Sequence, residues 1–164
     1  MFKRWNGFCI LGLAVLLAGM LTACGDAGGG KDGVLPFTSI VPGMSIGEIR
    51  KLEPELAEDG DGYYLTKDYN GFPMEAFLSP EKLNSIISWR CDDDALDLDK
   101  LADCLTDYFN KKYEVDMTVD EDDYTMIAWR TENYDIVLVD SSSEFMGIAS
   151  RDITLHLSVR LDKK

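Results

Sequence analysis

Histidine is almost missing from this sequence: His156 is the only one in 164 residues. A Ser-His-Asp triad would have to be built on that single imidazole, and a His-rich zinc site has no second ring to draw on. Basic residues are scarce too, 16 Lys and Arg against 30 Asp and Glu, for a net charge of −14. A chain this acidic is repelled by nucleic acid and by anionic bilayers before contact, which excludes both as direct partners of its surface. Cys-x-x-Cys and His-Glu-x-x-His are absent, so the common sequence routes to dithiol redox and zinc metalloprotease chemistry are closed. The apolar run Ile10 to Leu21 falls short of the roughly 20 residues needed to span a bilayer as a helix. The length suits one globular domain and is too small for two large ones.

What is present begins with an export signal. The first 23 residues hold no acid, carry Lys3 and Arg4, and continue into that short apolar run, the charged and hydrophobic regions of a secretory signal. It ends in Leu21-Thr22-Ala23-Cys24, which resembles the lipobox of bacterial lipoproteins. The resemblance implies that Cys24 receives a diacylglyceryl group, that residues 1–23 are removed, and that fatty-acyl chains of the palmitate kind hold the protein to the cell membrane facing outward, or to the outer membrane if the source is diderm. Cleavage takes Lys3 and Arg4 away, leaving 141 residues with 14 bases, 30 acids and a net charge of −16. Such a body does not adhere to an anionic bilayer by itself. Acyl chains, at about 0.8 kcal/mol per buried methylene, must supply the attachment. Residues 24–36, rich in glycine around Gly28-Gly29-Gly30, read as a flexible tether, and 37–164 as a single folded domain.

Two cysteines remain for that domain, Cys91 and Cys104. An extracytoplasmic compartment permits a disulfide between them. The alternative is two buried thiols serving as small hydrophobes, since Cys104 falls on the apolar face of a predicted helix.

Periodicity predicts two αβββ units, an α+β fold with helices packed against antiparallel sheet. Ser45-Ile46-Gly47-Glu48 is a capping box that starts a short helix limited by Pro54. Asn70-Gly71 turns a hairpin between Tyr63–Thr66 and Phe72–Leu78, and Leu83 to Cys91 makes a third strand. Asp97 caps a second helix, with Leu98, Leu101, Cys104, Leu105 and Tyr108 at three- and four-residue spacing. Tyr124–Thr131, Tyr134–Asp140 and the alternating Ile153 to Leu161 follow as strands, His156 on the polar side of the last. The stretch Ile40 to Ile49 resembles the opening of small envelope lipoprotein domains of the outer-membrane assembly and β-lactamase-inhibitor-like type, where a Gly-Met-Ser/Thr turn starts a helix that packs on an antiparallel sheet. The Gly-x-Pro that commonly closes that helix is replaced by Leu52-Glu53-Pro54-Glu55, and no partner-binding residue is carried over.

Three acid runs, Glu58–Asp61, Asp92–Asp94 and Asp120–Asp123, raise the question of calcium. None has EF-hand spacing: the fifth position after Asp59 and Asp61 is Tyr63, and after Asp92 and Asp94 it is Leu96. They read as solvated loops, so no metal, cofactor or catalytic residue is assigned. Tyr63, Tyr64, Tyr69, Phe72 and Phe77 gather around the first hairpin, to complete the core or flank its turn, or else to form a recognition patch. The expected function is a non-enzymatic interaction module, anchored in the membrane and facing a protein partner in the cell envelope. The alternatives are an envelope hydrolase built on an unrecognised carboxylate pair and a small-ligand-binding lipoprotein.

Overall fold

A computed structural model describes residues 33–160 apart from 84, 94, 146 and 147. The signal, Cys24, most of the tether, Asp94 and Leu161 lie outside the described residues. The packed body begins at Leu35, which is fully buried ahead of Phe37 and Ile40.

Helix α1 spans Ile46–Leu52, and its capping box forms as the sequence predicts. The Glu48 carboxylate accepts from the Ser45 N–H at 2.8 Å while Ser45 Oγ accepts from the Glu48 N–H at 3.3 Å. These bonds hold the Glu48 carboxyl below its usual range, the backbone bond contributing most. The helix closes at Glu53, just before Pro54. Glu53 is buried, and its carboxylate accepts from Thr38 Oγ1 at 3.1 Å and from Lys67 Nζ at 2.6 Å. The chain on either side of α1 is thereby tied to the sheet, with the buried charge paired and hydrogen-bonded.

The strands are β1 (Ala57–Asp59), β2 (Gly62–Tyr69), β3 (Phe72–Leu78) and β4 (Ile86–Cys91), then, after α2 (Leu98–Lys112), β5 (Glu114–Glu121), β6 (Tyr124–Arg130), β7 (Tyr134–Phe145) and β8 (Ile148–Val159). Asn70 and Gly71 both take positive φ, 57° and 87°, as the hairpin turn between β2 and β3 requires. All strands join one antiparallel sheet in the order β1-β2-β3-β4-β8-β7-β6-β5. Its two four-stranded meanders meet where Trp89 of β4 pairs with Leu155 of β8.

This overturns the α+β reading of two αβββ units with helices packed against sheet. Among the described residues each half has four strands, all are fused in one sheet, and helix is confined to seven residues in α1 and fifteen in α2. The molecule is predominantly β. Two strands escaped the sequence reading for different reasons. β1 has three residues, all exposed, so there is no alternation to find. β5 does alternate, at Val115, Met117 and Val119, but its exposed residues and acids resemble a loop, and a bulge between Val115 and Met117 shifts the register.

The core lies on one face of the sheet. Leu65, Met74, Ala76, Ile87, Trp89, Trp129, Ile136, Leu155 and Leu157 point there, against Leu98, Leu101, Cys104, Leu105 and Phe109 of α2. Phe109 packs on Trp129 with ring centroids 5.0 Å apart, and the indole N–H of Trp129 donates to Asn110 Oδ1 at 2.8 Å. Arg151 of β8 braces the start of α2, reaching Asp140 through Nε at 2.8 Å and Asp99 through Nη2 at 2.8 Å. Among the described residues no helix is long and apolar enough to cross a membrane.

Candidate functional site on the uncovered face of the sheet

With α1, α2 and the segment from Leu35 to Ile40 all contributing to a single core, the opposite face of the sheet is left without a described layer over it. Strand alternation decides what it displays. Tyr64 pairs with Phe77, and Phe77 stands one pair on from Ala76 and Trp89, beside Ser88. Ser88 pairs with His156, His156 with Val137, Val137 with Ala128 and Ala128 with Met117. One cross-strand row therefore runs from β2 to β5. It is aromatic at one end, aliphatic at the other and polar only at its centre.

Tyr64 and Phe77 are 47% and 50% exposed, their ring centroids 4.9 Å apart. Phe77 can lie flat along β2 because Gly62 is there: a Cβ at that position would come within 2.3 Å of the ring. The aromatic cluster of the first hairpin thus divides by strand parity. Tyr69 and Phe72 are buried in the core, whereas Tyr64 and Phe77 are presented outward. Met117 and Tyr124, 45% and 40% exposed, extend the apolar surface on the β5–β6 side.

At the centre, Ser88 Oγ and His156 Nδ1 share a hydrogen bond of 2.7 Å. His156 is on the polar side of β8, as its alternation predicts, but it is half-buried rather than freely exposed, and burial pushes its pKa down. The pair lacks the third member of a catalytic triad, since among the described residues no carboxylate bonds the imidazole, and the bond engages Nδ1. Residues 68 positions apart could be joined only by the β4–β8 register, so this contact was invisible to motif reading.

Charge surrounds the row. Arg90 lies between Asp92 at 3.4 Å and Asp152 at 3.5 Å. Arg130 lies between Asp116 at 2.8 Å and Asp135 at 3.7 Å. Both arginines are thus neutralised within the face, while Glu75 has no ion-pair partner among the described residues. Beside it, an open groove of about 330 Å³ is lined by Tyr64, Glu75, Phe77, Ser88, Arg90 and Thr154, among others.

The remaining sequence candidates fall elsewhere. Cys91 is a free, buried thiol on the core side of β4, so the possible Cys91–Cys104 disulfide is not formed. Burial raises the Cys91 pKa, a backbone hydrogen bond at Asp93 offsets part of the rise, and the nearby charges of Asp92, Asp93 and Glu75 add to it, which leaves it a packing residue rather than a nucleophile. Cys104 is buried on α2. Asp120 and Glu121 end β5, and Asp122 and Asp123 form the β5–β6 turn beside open grooves of about 380 and 400 Å³. There Asp140 is bound by Arg151, and Ser141 and Ser143 bond Asp152 and Ser150 across the β7–β8 hairpin. No group of three or more His, Cys, Asp or Glu suited to a metal occurs among the described residues. No family model matches this chain, nor does any curated protein or solved structure.

Proposed function

We propose that the chain is a non-enzymatic interaction module of the bacterial envelope, exported, anchored by lipid at Cys24, and presenting the uncovered face of its sheet to another envelope protein. The observation that carries this reading is the row from Tyr64 and Phe77 to Val137, Ala128 and Met117. It places the exposed Tyr64 and Phe77 rings at one end of one face and the exposed Met117 at the other, where burying them against a partner is favourable. Apart from Glu75, the acids beside the row are engaged with Arg90 and Arg130, which leaves a hydrolase no free carboxylate pair there among the described residues. The glycine-rich tether suits a domain that must reach a partner away from its anchor.

The experiment is site-specific photocrosslinking in intact cells, with the crosslinker at Phe77, at Met117 and, as a control, at exposed Lys111 on α2. One discrete adduct from both face positions and none from Lys111 is the expected result. Adducts of equal yield from all three, or none from the face, would overturn the reading.

A further inference from the structure

The two ends of the row differ in chemistry. At the Val137–Met117 end the surface is aliphatic, and contact there is a matter of fit. At the other end the Tyr64 and Phe77 rings stand beside carboxylates. Glu75 lies two residues from Phe77 on the same face of β3 and has no ion-pair partner among the described residues. Three carboxylates, Glu75, Asp92 and Asp152, surround the single guanidinium of Arg90, which is bound to the latter two. The groove between rings and acids is open and holds about 330 Å³, and the whole chain carries a net charge of −14. Aromatic faces attract cations through their quadrupole, and an unpaired carboxylate beside them adds direct ionic attraction. A long aliphatic stem with a cationic head matches both features, because the stem covers the rings while the head reaches the acid.

We propose that the groove formed by Tyr64, Phe77 and Glu75 takes a basic side chain, arginine or lysine, projecting from the protein partner. The inference rests on the reading of the uncovered face as a docking surface, and it names the partner's chemistry. An acidic partner is disfavoured by the local excess of carboxylate. A neutral saccharide could stack on the rings but would leave Glu75 without an ion pair. A second copy of this acidic chain would bring like charge to like.

The test uses the full chain, purified in detergent from host membranes and labelled with 4-fluorophenylalanine, the Phe77 resonance being assigned from Phe77→Leu. The probe is the peptide acetyl-Gly-Leu-Arg-Leu-Gly-amide. Its citrulline counterpart has nearly the same shape without the charge. The Phe77 fluorine signal should move on titration with the arginine peptide. Affinity should fall roughly fivefold or more with citrulline, and by a similar factor with Glu75→Gln, since each removes the charged contact. Glu75 is exposed, so that variant keeps the fold, which an unchanged melting temperature checks. Equal binding of the two peptides, indifference to Glu75→Gln, a response to chito-oligosaccharide instead, or a shift with protein concentration alone would each overturn the proposal. Crosslinking at Met117 separates the two readings: an adduct retained there when the peptide fails rejects only the basic anchor, whereas no adduct from either face position rejects docking as well.

Discussion

Neighbours on β8 do opposite work because a strand turns successive side chains to opposite faces. Leu157 is fully buried in the core, and Leu157→Ala should cost about 2–5 kcal/mol through lost burial and the cavity left behind. His156→Ala should cost about 1 kcal/mol, the usual net worth of one hydrogen bond, here that to Ser88. Chemical denaturation of both variants checks the contrast, and a larger loss at His156 would contradict the register. The histidine also predicts a pH response. Its folded pKa lies below the ordinary 6.5 because burial disfavours the charged ring. The unfolded chain therefore takes up the proton first, and stability falls as pH drops from 6.5 through the folded value. Thermal melts should show this slope in the native protein and a shallower one in His156→Gln. Alternation alone assigned the two faces correctly, but the Ser88 partner required the tertiary register.

At the scale of elements, α2 illustrates what local signals can and cannot carry. Its cap and apolar stripe are legible from Asp97 to Tyr108, and Asp97 accepts from the Lys100 N–H at 3.2 Å as a cap should. Its attachment to the sheet is not legible, because Arg151 is 52 residues from Asp99. Arg151 binds Asp140, whose side chain is only 23% exposed, and Asp99, whose side chain is 81% exposed. Arg151→Ala leaves Asp140 partly buried without its cation and should cost about 1–2 kcal/mol, whereas Asp99→Ala should change stability by less than about 0.5 kcal/mol. Equal effects in urea denaturation would show that the Asp99 arm, rather than Asp140, carries the brace. Strand β5 was missed for a related reason. Its acids suit a solvated loop, and only pairing with β6 makes its backbone a strand.

For the whole molecule, the β4–β8 seam predicts one cooperative unit. Ile87, Trp89, Leu155 and Leu157 lie on either side of it and belong to the same core as α2, so neither meander can keep its buried face when the other unfolds. Calorimetry should give a single transition, and two separated ones would show that the meanders fold independently. The anchor is tested apart from the fold. On the proposed lipoprotein reading, Cys24→Ala should release the protein from membranes or leave an uncleaved precursor, because that reading assigns the attachment to acyl chains on Cys24. Fractionation showing normal processing and retention would reject lipidation.

Sequence by itself determined what depends on neighbours along the chain: the capping box at Ser45, the Asn70-Gly71 turn, the stripe of α2 and the alternation of β8. Each is a short-range pattern in which backbone geometry reads residues a few positions apart. Tertiary structure alone decided that the strands form one sheet, that Cys91 keeps its thiol, and that Tyr64 and Phe77 share a row with Ser88 and His156. Those outcomes depend on which strands pair and in what register. The register is selected by burying one complete face at once, and among the described residues that selection left the other face without a packed layer.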